Sequence, residues 1–81
     1  MNNTYKFVAM DGTEYPADNF KGAFKAMFDW IQLQFKNGGL AFQVLETAIW
    51  IEPPNGKPLY FYDARDMAIA NGYLVDGKLV D

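Results

Sequence analysis

The stretch PADNFKGAFKAMFDWIQLQFK, residues 16–36, is the longest part of the chain with one clear period, and Asn37, Gly38 and Gly39 follow it. The period is helical, because apolar residues recur at spacings of three and four along one side. These residues are Phe20, Phe24, Met27, Phe28, Ile31 and Phe35. The stretch therefore predicts one long helix whose apolar side packs on a sheet.

A second apolar set lies beside the first on this helix and widens its apolar arc. Its members are Ala23, Ala26, Trp30 and Leu33. The polar remainder is a narrow strip of Lys21, Lys25, Asp29, Gln32 and Lys36. A surface helix of a monomer needs an apolar stripe of only about 100° or somewhat more. The second set therefore predicts contact with another chain.

The ends of the long helix carry capping residues. Asp18 or Asn19 is placed to accept a backbone N–H of the first turn, and Asn37 or Gly38 to adopt the left-handed conformation that ends a helix. Gly22 lowers helix propensity, and close approach of another element is the expected reason for it.

A hairpin is predicted before the helix. Residues 5–10, YKFVAM, alternate and are rich in strand formers, and Asp11-Gly12 leads into a short second strand at 13–15. Asp-Gly favours a type I′ turn, in which both central residues have positive φ. Pro16, which has no N–H to donate, is expected to stop the second strand.

Residues 41–52, AFQVLETAIWIE, are predicted to form a strand that is apolar on both sides. Such a strand is typical of a sheet covered on both faces. A helical interpretation of residues 40–48 stays open, although the end at Trp50 favours a strand. Since a chain this short has few elements to cover two faces, this segment also indicates a partner.

The remaining residues predict a second hairpin, a short helix and a third hairpin. Residues 53–58 form the turn, 59–62 the returning strand, and Asp63 the N-cap of a helix with Asp66 at its third position. The helix ends at Asn71-Gly72, and residues 73–80 fold back at Asp76-Gly77.

The predicted fold is a single α+β domain spanning residues 1–81, in the order ββα-ββα-ββ. A small antiparallel sheet carries one long and one short helix on the same face. Whether the two hairpin–helix units arose by duplication stays open, because their side chains share little identity.

Composition narrows the chemistry available to the chain. Its 81 residues contain no cysteine, no histidine and no serine. Disulfides, thiolate and imidazole metal sites, and Ser-His or Cys-His catalysis are thereby excluded. We expect no metal and no cofactor. Small domains without these supports depend on a dense core or on association, and 51% of the residues are hydrophobic.

The charge of the chain argues against nucleic acid as a partner. The formal net charge is −3, and residues 41–81 hold all of it, with three bases against six acids. No apolar run reaches the roughly 18 residues that span a bilayer. The first residues, MNNTYKF, lack the pattern of a secretory signal. We therefore expect a cytoplasmic protein with no membrane contact.

These observations predict a non-enzymatic protein-binding module or inhibitor that forms a homo-oligomer through its long helix. The predicted interface residues are Ala23, Ala26, Trp30, Leu33 and Trp50. The predicted contacts for a partner with a basic surface are Asp63, Asp66 and Asp76. A small acidic chain of this kind is typical of the accessory proteins of bacteria or phages.

Two alternatives from other classes stay open. A small-ligand binder would line an aromatic pocket, at a subunit interface, with Trp30, Trp50, Tyr60, Tyr62 and Tyr73. An enzyme would depend on tyrosines or on Glu46, predicted to lie in mid-strand among apolar neighbours. The aromatic content of 17% suits the first alternative.

Overall fold

The computed structural model describes residues 4–80, so the first three residues of the segment considered for a signal lie outside it. The strands are β1 (Tyr5–Val8), β2 (Glu14–Ala17), β3 (Trp50–Glu52), β4 (Leu59–Tyr60), β5 (Leu74–Val75) and β6 (Lys78–Leu79). The helical elements are α1 (Phe20–Asn37), α2 (Phe61–Ala70) and a π-helical turn at Val44–Ala48.

Four strands form one antiparallel sheet in the order β2-β1-β3-β4, and β5 and β6 form a separate hairpin. Phe7 of β1 lies opposite Tyr15 of β2 and opposite Ile51 of β3. The order is symmetric about the β1–β3 pair, and each half supplies a hairpin followed by a helix. The predicted α+β fold, with a long and a shorter helix, is confirmed.

The core lies on one side of this sheet. Alternate residues of the central strands, such as Phe7 and Ile51, are fully buried there. α1, α2 and the π-helical turn bury their apolar residues in the same cluster. The opposite side of the sheet carries residues outside this cluster, among them Val8, which is nevertheless only 6% exposed.

The start of α1 is capped by Asn19. The Asn19 side chain accepts a hydrogen bond from the Gly22 backbone at 2.8 Å, which settles the choice between Asp18 and Asn19. A Cβ added at Gly22 would lie 3.1 Å from the Cβ of Ala17, so the expected close approach is confirmed.

Phe35 was predicted for the sheet side of α1 and is instead 50% exposed. The reason is that α1 is longer than the strands on which it packs. Eighteen residues of helix extend about 27 Å, whereas four residues of strand extend about 13 Å. Ile31 is the last buried residue of α1, and the turn beyond it leaves the sheet behind.

The strand predicted for residues 41–52 is wrong over most of its length. Only Trp50–Glu52 pairs as a strand. Residues 42–48 turn helically, and Ile49 between the two is extended. Leu45 of the helical turn and Ile49 directly after it are both buried in the core. The Thr47 hydroxyl also donates to the Gln43 carbonyl at 2.8 Å. The open alternative for residues 40–48 therefore comes closer to the structure.

The start of α2 also differs from expectation, because the helix begins at Phe61 and its N-cap position is Tyr60. Asp63 is therefore in the first turn and is not the cap. Phe61, Ala64 and Ala68 are all buried, at helical spacing. Packing of Phe61 in the core outweighs the strand propensity of residues 59–62.

Two turn predictions have different outcomes. Asp76 and Gly77 both have positive φ, 53° and 76°, which confirms the tight turn between β5 and β6. At Asp11-Gly12 only the glycine has positive φ, so the type I′ turn predicted there is wrong. Pro16 does not stop β2 but pairs with Lys6 inside it. It is tolerated because β2 is an edge strand.

Candidate functional site

The predicted interface residues fall into three different places. Ala23 is fully buried in the core of its own chain, so its assignment to an interface is wrong. α1 packs against β1 and β2 along that side, which a helical wheel alone could not reveal. Ala26, Trp30 and Leu33 lie together on the flank of α1. Trp50 lies on the opposite side of the sheet, away from the core.

An open depression of about 290 Å³ lies between the flank of α1 and the edge strand β2. We call it the α1 groove, and its lining residues are Tyr15, Ala26, Asp29, Trp30 and Leu33. Leu33 is 52% exposed and Tyr15 40% exposed, whereas Ala26 and Trp30 are half-buried. Three of the predicted interface residues therefore meet at one apolar, accessible surface.

The aromatic floor of the α1 groove is fixed by the core. The ring of Phe7 stacks on that of Tyr15 at 5.5 Å between centroids, and it meets Trp30 edge-on at 5.9 Å. Both arrangements are favourable for aromatic pairs. Because Phe7 is fully buried, Tyr15 and Trp30 are held in place from beneath.

Tyr15 and Asp29 were missed as groove residues by the sequence prediction. Tyr15 belongs to the groove because β2 pairs with β1 and sets it opposite Phe7. Asp29 accepts a hydrogen bond from Lys25 at 2.9 Å, one helical turn away, and both side chains are more than half exposed. Such an exposed pair stabilises a helix by only about 0.3–0.5 kcal/mol. It keeps the rim of the groove polar.

The side of the sheet away from the core forms a second surface, which we call the open face. Its residues are Lys6, Val8, Glu14, Trp50, Glu52 and Tyr60. Side chains alternate along a strand, so Val8 and Trp50 point away from the buried Phe7 and Ile51. The rings of Trp50 and Tyr60 lie 6.2 Å apart.

Lys6 on the open face contacts two carboxylates. Its ammonium lies 3.2 Å from Glu14 and 3.4 Å from Glu52. Hydrogen bonding to Glu14, and then to Glu52, raises the pKa of Lys6 above its usual value. The three side chains connect β2, β1 and β3 across the sheet.

The aromatic residues of the small-ligand alternative do not converge within the chain. Trp30 lines the α1 groove, and Trp50 and Tyr60 lie on the open face. Tyr62 packs against the guanidinium of Arg65, whose carbon lies 5.1 Å from the ring centroid. Tyr73 lies beneath the ammonium of Lys21, at 5.6 Å, beside a depression of about 220 Å³. These side chains therefore form no shared pocket within one subunit, and the predicted pocket at a subunit interface stays a prediction.

The acidic residues predicted to face a partner are exposed. Asp63 and Asp66 lie on α2, and Asp76 lies in the turn between β5 and β6. Asp76 lines a depression of about 420 Å³ together with Arg65. Arg65 also lies 3.8 Å from Asp66. This surface therefore mixes both signs of charge.

Glu46 lies on the π-helical turn and is exposed. It is not in mid-strand among apolar neighbours, so the environment predicted for a functional carboxylate is wrong. Among residues 4–80, no three acidic side chains lie close enough together to hold a metal ion. Within that same range, no helix has both the length and the apolar character needed to cross a membrane.

The geometry thus identifies two candidate surfaces, the α1 groove and the open face, on opposite sides of one sheet. Comparisons of the chain with protein-family models, with curated proteins and with solved structures each find no significant match.

Proposed function

We propose that this chain is a non-enzymatic protein-binding module that forms a two-fold homodimer through the α1 groove. The observation that carries the proposal is the row of Ala26, Trp30 and Leu33 on one flank of α1. Their spacing of four and then three residues places them along one line of the helix surface. The row is apolar and accessible, and Phe7 fixes its central residue from below.

A second copy of the chain is the occupant that best fits this row. Ala26 and Leu33 lie equally far along α1 from a point between Asp29 and Trp30, about 5 Å in each direction. In an antiparallel pair of helices with its two-fold axis at that point, the large Leu33 of one copy meets the small Ala26 of the other. The surface is therefore complementary to itself, as a two-fold interface requires.

Trp30 supports the same arrangement, because it would lie near the axis in both copies. Tryptophan at the centre of an interface is among the residues that most often dominate binding energy. The edge of the indole that faces away from Phe7 is available for such a contact. Leu33, which is 52% exposed, gains the most burial when the groove is covered.

Sedimentation equilibrium tests the proposal. We expect a species of twice the 9.2 kDa chain mass that dissociates on dilution. Leu33→Glu should give a folded monomer, because it removes the apolar contact with Ala26 and adds a second carboxylate to a groove that Asp29 already lines. Phe35→Glu is the matched control: Phe35 is 50% exposed on the same helix but points away from the groove. A monomeric wild type, or equal loss of dimer in both variants, would refute self-association through this groove.

A further inference from the structure

The strand register shows which residues of the open face lie opposite one another. One row across the strands runs Glu14, Val8, Trp50 and Tyr60. The next row, two residues along each strand, contains Lys6 opposite Glu52. Aromatic side chains thus lie towards β4, and the charged side chains lie beside them over β1, β2 and β3.

The aromatic part of this face is partly accessible. Tyr60 is 37% exposed and Trp50 is half-buried. Neither residue belongs to the core cluster, and Val8 beside them also lies outside it although it is only 6% exposed. All helical elements pack on the other side of the sheet. The rings therefore present a surface over which a planar cation can stack.

The charged part of the open face carries one more negative charge than positive charges. Two carboxylates, Glu14 and Glu52, share the single ammonium of Lys6. The glutamate side chains are 55% and 42% exposed, and that of Lys6 is 36% exposed. A cation approaching the sheet therefore meets carboxylate oxygens more readily than it meets the ammonium.

We propose that the open face binds an arginine-bearing segment of a partner protein. A guanidinium over Trp50 and Tyr60 gains a cation–π contact, and it is planar and weakly hydrated, which lysine is not. Glu52 follows Trp50 by two residues on the same side of β3, a separation of roughly 7 Å. A stacked guanidinium is therefore within reach of its carboxylate.

The location of this face makes it independent of self-association. The α1 groove lies on the helical side of the sheet, where Trp30 contacts Phe7. Val8 and Trp50 point to the other side, so a dimer through the groove leaves the open face free. One chain can therefore hold a second copy and a basic partner at the same time.

Titration of the ¹⁵N-labelled protein with short peptides tests the proposal. The probe is a capped synthetic peptide that alternates arginine with threonine, compared with versions carrying lysine or the uncharged analogue citrulline. We expect a saturable shift of the Trp50 indole N–H below about 1 mM peptide, with the Trp30 indole unchanged. The lysine version should bind more weakly, and the citrulline version should not bind.

Two variants show whether the carboxylates of the open face are responsible for peptide binding. Glu14→Gln together with Glu52→Gln should weaken binding about tenfold or more, because the face then carries a net positive charge. Glu46→Gln, an exposed glutamate elsewhere, should leave the affinity unchanged. Circular dichroism checks that each variant is folded, so that weaker binding reports the contact and not the fold.

Several results would overturn the proposal. One is the absence of a saturable shift at millimolar peptide, and another is equal weakening by Glu46→Gln. A shift map centred on Asp63 and Asp76 would place the basic partner on the other acidic surface. Saturable binding of a single-stranded oligothymidylate to Trp50 and Tyr60 would make the face a nucleic-acid platform instead.

Discussion

The indole of Trp30 meets the ring of Phe7 edge-on, with 5.9 Å between centroids and 61° between the ring planes. Phe7 is fully buried, so this contact joins the α1 groove to the core. A tryptophan held in this way loses little conformational entropy when its free edge is covered. The contact explains how a small domain can present a fixed apolar surface.

The proposed antiparallel pairing predicts that exchanging two groove residues preserves the dimer. Ala26→Leu alone overfills the contact with Leu33, and Leu33→Ala alone leaves it empty. Each should weaken dimerisation about tenfold, or 1.4 kcal/mol. The double variant restores one large and one small residue at each contact and should recover most of the affinity. Dilution experiments by analytical ultracentrifugation measure all three, and purely additive losses in the double variant would argue against this register.

Trp50→Phe should change stability by less than about 1 kcal/mol. The indole Nε1 is buried and has no hydrogen-bond acceptor among residues 4–80, and an unpaired buried donor costs about 1–3 kcal/mol. Removing this unpaired donor offsets much of the stability that is lost because the phenylalanine ring is smaller and packs less well. Urea unfolding measures the difference, and a loss above about 2 kcal/mol would show that the indole packs more tightly than this account holds.

Asn19→Ala should destabilise the protein by about 1 kcal/mol, because it removes the side-chain acceptor for the Gly22 N–H at the start of α1. Asp18→Ala is the control, since Asp18 is exposed and does not cap the helix. The two variants are compared by thermal and urea unfolding. Equal losses would mean that the cap hydrogen bond contributes nothing of its own.

Asp11 should contribute to stability in a pH-dependent way. Its carboxylate accepts a hydrogen bond from the Thr13 backbone at 2.9 Å, and this bond lowers the pKa of Asp11. A lowered folded-state pKa means that the contribution is present above the unfolded value of about 3.9. This contribution to stability is lost as pH falls through the pKa of Asp11 in the folded state. Asp11→Asn should therefore differ from wild type near neutral pH and converge with it in acid, as urea unfolding across pH can show. A difference in free energy of unfolding between Asp11→Asn and wild type that stays constant with pH would contradict the titration of Asp11.

Local patterns were enough to predict much of the fold. The period of residues 16–36 identified α1, and Asp76-Gly77 identified a turn whose φ values only small or polar residues readily adopt. Residues 41–49 were not predictable in the same way, because they are apolar at both helical and strand spacings. Burial of Leu45 in the core favours the helical turn, and the chain is extended only from Ile49 onward.

The candidate site was predictable only where it depends on one element. Ala26, Trp30 and Leu33 share a flank of α1 because of helical geometry alone. Tyr15 joins them through the pairing of β2 with β1, which places it opposite Phe7. Ala23 is removed from the surface by packing of α1 against β1 and β2. Register and layer packing involve residues distant in sequence, so a single-sequence pattern does not contain them.

Cysteine cross-linking tests the proposed dimer most directly, because the natural chain has no cysteine. Asp29 lies beside the proposed two-fold axis, so Asp29→Cys in the two copies should come within disulfide distance, with Cα atoms about 4.4–6.8 Å apart. Lys36→Cys would lie about 10 Å along the helix from the axis in each copy, too far to bridge. Under mild oxidation we predict a disulfide-linked dimer for Asp29→Cys and none for Lys36→Cys. Equal cross-linking of both, or no cross-linking of Asp29→Cys, would contradict self-association through the α1 groove.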